Sequence, residues 1–199
     1  MNHRFNASVI VLVICVLESE AATPGETRSE TMFNSWAARN EAKVAEFKAF
    51  LAGEGLDSVY PLHQLARTAS DWRTCGGSPF ELPPRPQWPA ARSTLRLAKL
   101  LKDESVLHGG EVVSAYRNSA LNRCARGSKR SSHTTAYALD IQGIEASAES
   151  LCQFHRRRGA KFDMGLSRYV SGRIHLDANG YRTWGNDYTS KTSFCRKYW

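Results

Sequence analysis

The chain lacks any apolar run long enough to anchor it in a bilayer. ASVIVLVICVL, from Ala7 to Leu17, has eleven residues, whereas a spanning helix needs about 20. Internal repeats and low-complexity tracts are also missing, which excludes solenoids and fibrous proteins. Neither H-E-x-x-H nor paired C-x-x-C occurs, so the zinc helices and zinc ribbons built on those spacings are excluded. Acidic residues are in deficit, 19 against 27 Lys and Arg, giving a formal net charge of +8. Such a cation is drawn to anionic surfaces such as cell-wall polymer or acidic lipid headgroups. RCARGSKR and HRRRG have the composition of nucleic-acid patches, but an N-terminal export signal removes nucleic acid from the expected partners.

His3 and Arg4 precede the apolar run, and ESEAATPG follows it, with Ser19 and Ala21 at positions suited to signal cleavage. Residues 1–21 therefore read as a secretory signal peptide. Its removal takes away Arg4, Glu18 and Glu20 and makes the chain one charge more basic. Cys75, Cys124, Cys152 and Cys195 remain. An even number of cysteines in an oxidising compartment implies two disulfides, and spacing leaves three pairings open. Cys75 with Cys124 and Cys152 with Cys195 is the expectation carried forward. Cys152 and His155 at i and i+3 resemble half a zinc site, but disulfide use is the preferred reading of the cysteine. The expected location is secreted or periplasmic, with no integral membrane segment.

After a polar leader (22–31), apolar residues from Phe33 to Leu51 recur at helical spacing. A shorter element over 60–69 leads into the Gly- and Pro-rich DWRTCGGSPFELPPRPQWP, an ordered loop in which Trp72 and Trp88 would reach the core. Residues 89–101 read as a helix, HGGEVVSAYR as a loop and strand, YALDIQGI as a strand, and SAESLCQFHRRRG as a helix with Gly159 at its C-cap. The expected fold is α+β, a small antiparallel sheet with helices on one side. Its expected parts are a helical extension and loop (32–88) and a main domain (89–199).

Asn179-Gly180 lies between strand-like runs in GRIHLDANGYRTWG, and predicts a type I′ hairpin. Strand alternation then places His175, Asp177, Arg182 and Trp184 on one face, with Ile174, Leu176, Ala178 and Tyr181 on the other. His133, Asp140 and His175 offer two imidazoles and a carboxylate, a set that can hold a catalytic zinc with one position left open. Spacing alone is a weak signal, since a polar loop running into a buried strand gives the same pattern.

SSHTTAYALDI resembles the S-x-H-x-x-G-x-A-x-D signature of the zinc D-alanyl-D-alanine peptidases, family M15, through Ser131, His133, Ala138 and Asp140. SAYRNSALN is similar to that family's S-x-Y-R segment, and GLSRYVSGRIHLDANGYRTW to its closing G-x-x-x-Y, H-x-D, R-x-W segment. The resemblance implies a D-alanyl-D-alanine-peptidase-like fold and a Zn2+ cofactor held by His133, Asp140 and His175. It also implies peptidoglycan stem peptides as substrate, with Arg117 and Trp184 on the substrate side of the pocket. An Arg fork matches a planar carboxylate with two parallel hydrogen bonds; the competing reading of Arg117 is an ion pair at a strand end.

Two departures stand out. The signature glycine is Ala136, tolerable if its φ stays negative. Many members carry an acidic general base three residues before the last histidine, where this chain has Gly172, with Arg173 following. Asp177 is then the nearest catalytic carboxylate, with a brace for a ligand or for Arg182 as the equal alternative. Three functions follow: a zinc peptidase of the cell wall, a zinc-retaining module that binds cell-wall peptide without cutting, or a zinc-free protein stabilised by its disulfides. His63, His108 and His155 are expected at the surface or at caps.

Overall fold

The N-terminal periodicity forms two helices rather than one. In the computed structural model, which describes residues 29–144 and 147–199, α1 spans Glu30–Ala38 and α2 spans Glu41–Gly53. The break has a local cause: the Asn40 amide donates to the Trp36 carbonyl at 2.8 Å, closing the end of α1 as short polar side chains do when they compete with the backbone. The signal-peptide reading and residues 22–28 of the leader lie outside the described residues.

Helix α3 is a single turn, Leu62–Leu65, and α4 runs from Trp88 to Asp103 with Pro89 in its first turn, where a missing N–H costs nothing. Strand β1 is Gly109–Ser114, α5 is Ser119–Cys124, and β2 is Ala138–Ile144. Helix α6, Ala148–Arg158, is capped by Ser147, whose hydroxyl accepts from Ser150 N. Its last turn carries Arg156, Arg157 and Arg158, cations at the negative end of the helix dipole. Gly159 does occupy the C-cap, but in a right-handed conformation.

Three short strands follow: β3 (Gly165–Arg168), β4 (Ile174–Asp177) and β5 (Arg182–Trp184). The sheet order is β1-β2-β4-β3-β5, antiparallel except for β3 with β5. This corrects the expected hairpin, because β4 and β5 are not neighbours. The segment GLSR pairs with both and sits between them. Of the turn residues only Gly180 has positive φ, at 110°, so the turn is not type I′, which needs positive φ at both. Gly180 N instead donates to the Asp163 carbonyl.

The facial alternation holds for a different reason. In the parallel register Arg182 lies beside Gly165 and Trp184 beside Ser167, while Asp177 and His175 oppose the same two residues from β4. All four predicted side chains therefore share a face. Ile174 and Leu176 face the core with Leu139, Ile141 and Leu166. Tyr181, expected in the core, is 47% exposed and stacks on His155 at 4.4 Å. His155 in turn is buried rather than at the surface, because its Nε2 bonds the Met164 carbonyl.

Phe47, Leu51, Leu56 and Leu65 belong to the same buried cluster as Leu95, Leu101 and the sheet residues. The N-terminal helices thus help to close the core. Disulfides join Cys75 to Cys124 and Cys152 to Cys195. The two bridges span similar separations, 49 and 43 residues, so loop entropy alone would make them nearly equal. Cys152 and Cys195 are fully buried, however, whereas Cys124 is exposed.

In protein lacking residues 1–21, no thiol should titrate under denaturing, non-reducing conditions. Cys152→Ala/Cys195→Ala should cost about 2 to 5 kcal/mol and lower Tm more than Cys75→Ala/Cys124→Ala. The check is thermal unfolding of both double variants; equal losses would mean that burial of the second bridge contributes nothing.

Candidate metal centre

Strand register makes the centre. Asp140 on β2 stands directly opposite His175 on β4, so both side chains leave the sheet on one face, and His175 Nδ1 lies 3.0 Å from Asp140 Oδ1. His133 arrives from the other side, on a 3-10 turn, Ser132–Thr135, that follows a cap by Ser131. Its Nε2 is 3.2 Å from the same Asp140 oxygen. The three side chains are buried, and one donor atom from each lies within 4.8 Å of the others. The structure therefore brings the three predicted ligand candidates together.

Each imidazole is oriented from behind. His133 Nδ1 donates to the Ala115 carbonyl at 2.6 Å, which leaves Nε2 as the lone-pair nitrogen. That Nε2 is buried and makes no hydrogen bond. Burial, then the nearby Arg117 cation, lowers the His133 pKa to about 4, so the ring is neutral at pH 7. A lone pair thus faces a carboxylate oxygen with no proton between them. Two buried acceptors at that separation repel unless a cation sits between them, and an N, O, N donor set with fixed tautomers suits zinc. The residues present fit the metal.

His175 is held at both nitrogens, Nδ1 by Asp140 and Nε2 by Asp177 Oδ2 at 2.9 Å. Burial would lower its pKa, but hydrogen bonds and charge from the two carboxylates outweigh burial and raise it to about 8. Without metal, His175 is the protonated member of the group. For Asp140, burial pushes the carboxyl up, yet the hydrogen bond from protonated His175 and the Arg117 cation hold it well below the usual carboxylate range.

Arg117 reaches the centre, but as a partner of Asp140. Its Nη2 donates to Asp140 Oδ2 and its Nε to Ser114 Oγ at 2.8 Å. Its own N–H donates to the His133 carbonyl. Only 11% of the side chain stays exposed, so a substrate carboxylate could meet just one edge of the guanidinium. Trp184 packs edge-on against His175, ring centroids 5.1 Å apart, with the Arg182 guanidinium over its face at 4.7 Å.

Asp177 lies behind His175, on the Nε2 side of the ring, whereas Nδ1 faces Asp140. It is fully buried, and besides His175 it accepts from Asn179 N at 2.9 Å and from both Arg182 terminal nitrogens. Burial pushes this carboxyl up, but the His175 and Arg182 contacts prevail and hold it below its ordinary value. The predicted ion pair with Arg182 is therefore present, although the strand pairing invoked for it is not. This position gives the carboxylate four hydrogen bonds from three residues, with His175 itself standing between it and Asp140. Of the two roles left equal by the sequence, general base and brace, this geometry favours the brace.

Small neighbours make room for that carboxylate. Ala138 and Gly165 oppose Asp177 on either side, and a Cβ on Gly165 would collide with its oxygens. Ala136 is a correction: its φ is +60°, the left-handed region, which costs a residue with a Cβ roughly 1 kcal/mol or more. Gly172 also has positive φ, +82°, so an acidic residue there would be strained in this backbone. Two participants carried no assigned role in the sequence reading. The Tyr169 hydroxyl lies 3.3 Å from Asp140 Oδ1; it stands in the G-x-x-x-Y segment, so a signal existed. The Ala115 carbonyl, which sets the His133 tautomer, left none.

Comparisons with curated proteins and with solved structures return no match. Against family models, residues 89–177 match Peptidase M15, a span that contains His133, Asp140 and His175 and ends at Asp177. The part of this chain that builds the centre is a peptidase M15 domain.

Proposed function

We propose that the protein is a zinc-dependent peptidase of the cell wall, hydrolysing bonds next to D-alanine or diaminopimelate in peptidoglycan stem peptides. The observation that carries the zinc reading is the convergence of one ligand atom each from buried His133, Asp140 and His175 within 4.8 Å of one another, with His133 Nε2 making no hydrogen bond. The peptidase reading adds the M15 match, and the choice of substrate follows the motif resemblance. His133 Nε2, Asp140 Oδ1 and His175 Nδ1 would hold the metal. When bound, zinc supplies Lewis-acid chemistry to the substrate carbonyl and to water. Arg117 keeps Asp140 charged and correctly turned, and its exposed edge orients a substrate carboxylate. Trp184 limits the rotation of His175 and closes one side of the site. Asp177 is a positioning residue: it keeps the Nε2 proton in place and so presents Nδ1 as a lone pair.

Two disulfides and the leader sequence support export to an oxidising compartment. Among the described residues no helix is long and apolar enough to cross a membrane.

A second reading is favoured by Gly172. The position that supplies a proton acceptor in many relatives has no side chain here, and Asp177, the carboxylate nearest in sequence, is committed behind His175. A domain that holds zinc and grips cell-wall peptide without cutting would look the same. Incubating the zinc-loaded protein with purified peptidoglycan and identifying released peptides decides between them. Release of D-alanine or of cleaved cross-links supports the peptidase; binding without release supports the module.

His175 must give up a proton to accept metal, and its pKa stands at about 8. Zinc affinity should therefore rise with pH up to that value and fall about tenfold per unit between pH 7 and pH 5. Titration with a competing chelator measures this, and a flat profile would remove His175 from the ligand set. His133→Ala should lose zinc outright under the same competition.

Asp177→Asn separates brace from base. As a brace, its loss weakens zinc binding about 10- to 100-fold while turnover at saturating zinc stays within a few fold of wild type. A general base would instead leave affinity unchanged and lower turnover about 10² to 10⁴-fold.

A further inference from the structure

Between α5 and the turn that carries His133 the chain reads RCARGSKR, and Arg123, Arg126, Lys129 and Arg130 are all exposed. None of their side chains forms an ion pair or hydrogen bond among the described residues. Arg73 joins them through the Cys75–Cys124 disulfide, its guanidinium over Trp72 at 5.0 Å. Asp71 is the acidic residue on these two segments, so the cations are left largely uncompensated.

The loop is stiff despite this repulsion. Cys124 is stapled at its start, Gly127 N donates to the Asn122 carbonyl, and the buried Asn122 amide donates to the Ser128 carbonyl at 2.9 Å. Ser131 N closes back on the Ser128 carbonyl. Charges held on an ordered backbone can meet a polyanion without the entropic cost of ordering the loop. Arg130 is three residues before His133, so their Cα atoms are at most about 11 Å apart.

We propose that this loop is a docking surface for the free carboxylates of polymeric peptidoglycan, gripping peptides next to the one presented to the metal centre. The inference rests on the peptidoglycan reading above. Four of the five cations are arginine, whose fork matches carboxylates in pairs. They are spread over two chain segments, more than a single short peptide's carboxylates would occupy. The loop carries no exposed large apolar side chain, so it lacks the anchor with which basic segments enter a bilayer.

Zinc-free protein co-sedimented with insoluble peptidoglycan tests the proposal without cleavage intervening. Wild type should pellet with the polymer and be released at about 0.5 M salt. Arg123→Gln/Arg126→Gln/Lys129→Gln/Arg130→Gln should lower affinity about tenfold, as should polymer whose carboxylates have been amidated. Arg156→Gln/Arg157→Gln on α6 should matter much less than Arg123→Gln/Arg126→Gln, which removes the same charge; thermal unfolding confirms that each variant is folded. Equal binding to amidated polymer, equal loss from the α6 pair, or tighter binding to phosphatidylglycerol vesicles than to peptidoglycan would each overturn it. Loop-dependent binding by a protein that releases no peptide would leave this inference standing and remove the peptidase reading.

Discussion

A carboxylate taken out of water must be compensated where it stands, at a cost of several kcal/mol if it is not. Asp140 is 1% exposed, and much of the surrounding architecture answers that demand. Arg117 takes one oxygen, while His175 and the Tyr169 hydroxyl take the other. For this to happen, β1 must end where Arg117 can turn back, and Ser114, the partner of Asp140 across the β1–β2 pair, receives the Arg117 Nε. The same β2 strand sends Leu139 and Ile141 into the core on its other face. The hydrophobic packing that fixes the strand therefore also fixes the carboxylate.

Most of the helical and strand segments could be read from apolar spacing and turn residues, because those signals are local. The sheet order could not. Asn179-Gly180 is a strong hairpin signal, yet β3 separates the two strands it should join. What overrode it is non-local: GLSR is short, its Leu166 is fully buried, and it bonds to β4 on one side and β5 on the other. A four-residue strand carries too little pattern to be recognised alone. The face assignment survived because alternation along a strand depends on the strand and not on its partner.

The centre divides in the same way. His133, Asp140 and His175 are side chains of ligand type in a recognisable order, so they were legible. Their orientation depends on the Ala115 carbonyl, on Ser114 and on the collision-free space above Gly165, which are matters of backbone placement. Asp177 shows the difference most clearly. Its spacing from His175 put it on the correct face, but only the position of the imidazole between the two carboxylates separates a brace from a base.

The protein's own side chains at the centre are arranged against one another in one place, and that place is informative. Asp140 and protonated His175 attract, as do Asp177 and Arg182, so each of those carboxylates has its counter-charge. His133 does not share in this. Its proton is committed to a carbonyl, its ring resists a second proton through burial and the Arg117 cation, and its lone pair is aimed at an anion. A buried lone pair without a donor costs about 1–3 kcal/mol, and a cation shared with Asp140 would remove that cost. The residues that impose it, Arg117 and Ala115, lie at the end of β1 in the same S-x-Y-R segment. In the proposed zinc centre that segment would prepare His133 for the metal, and in doing so it would link the first motif of the chain to the second.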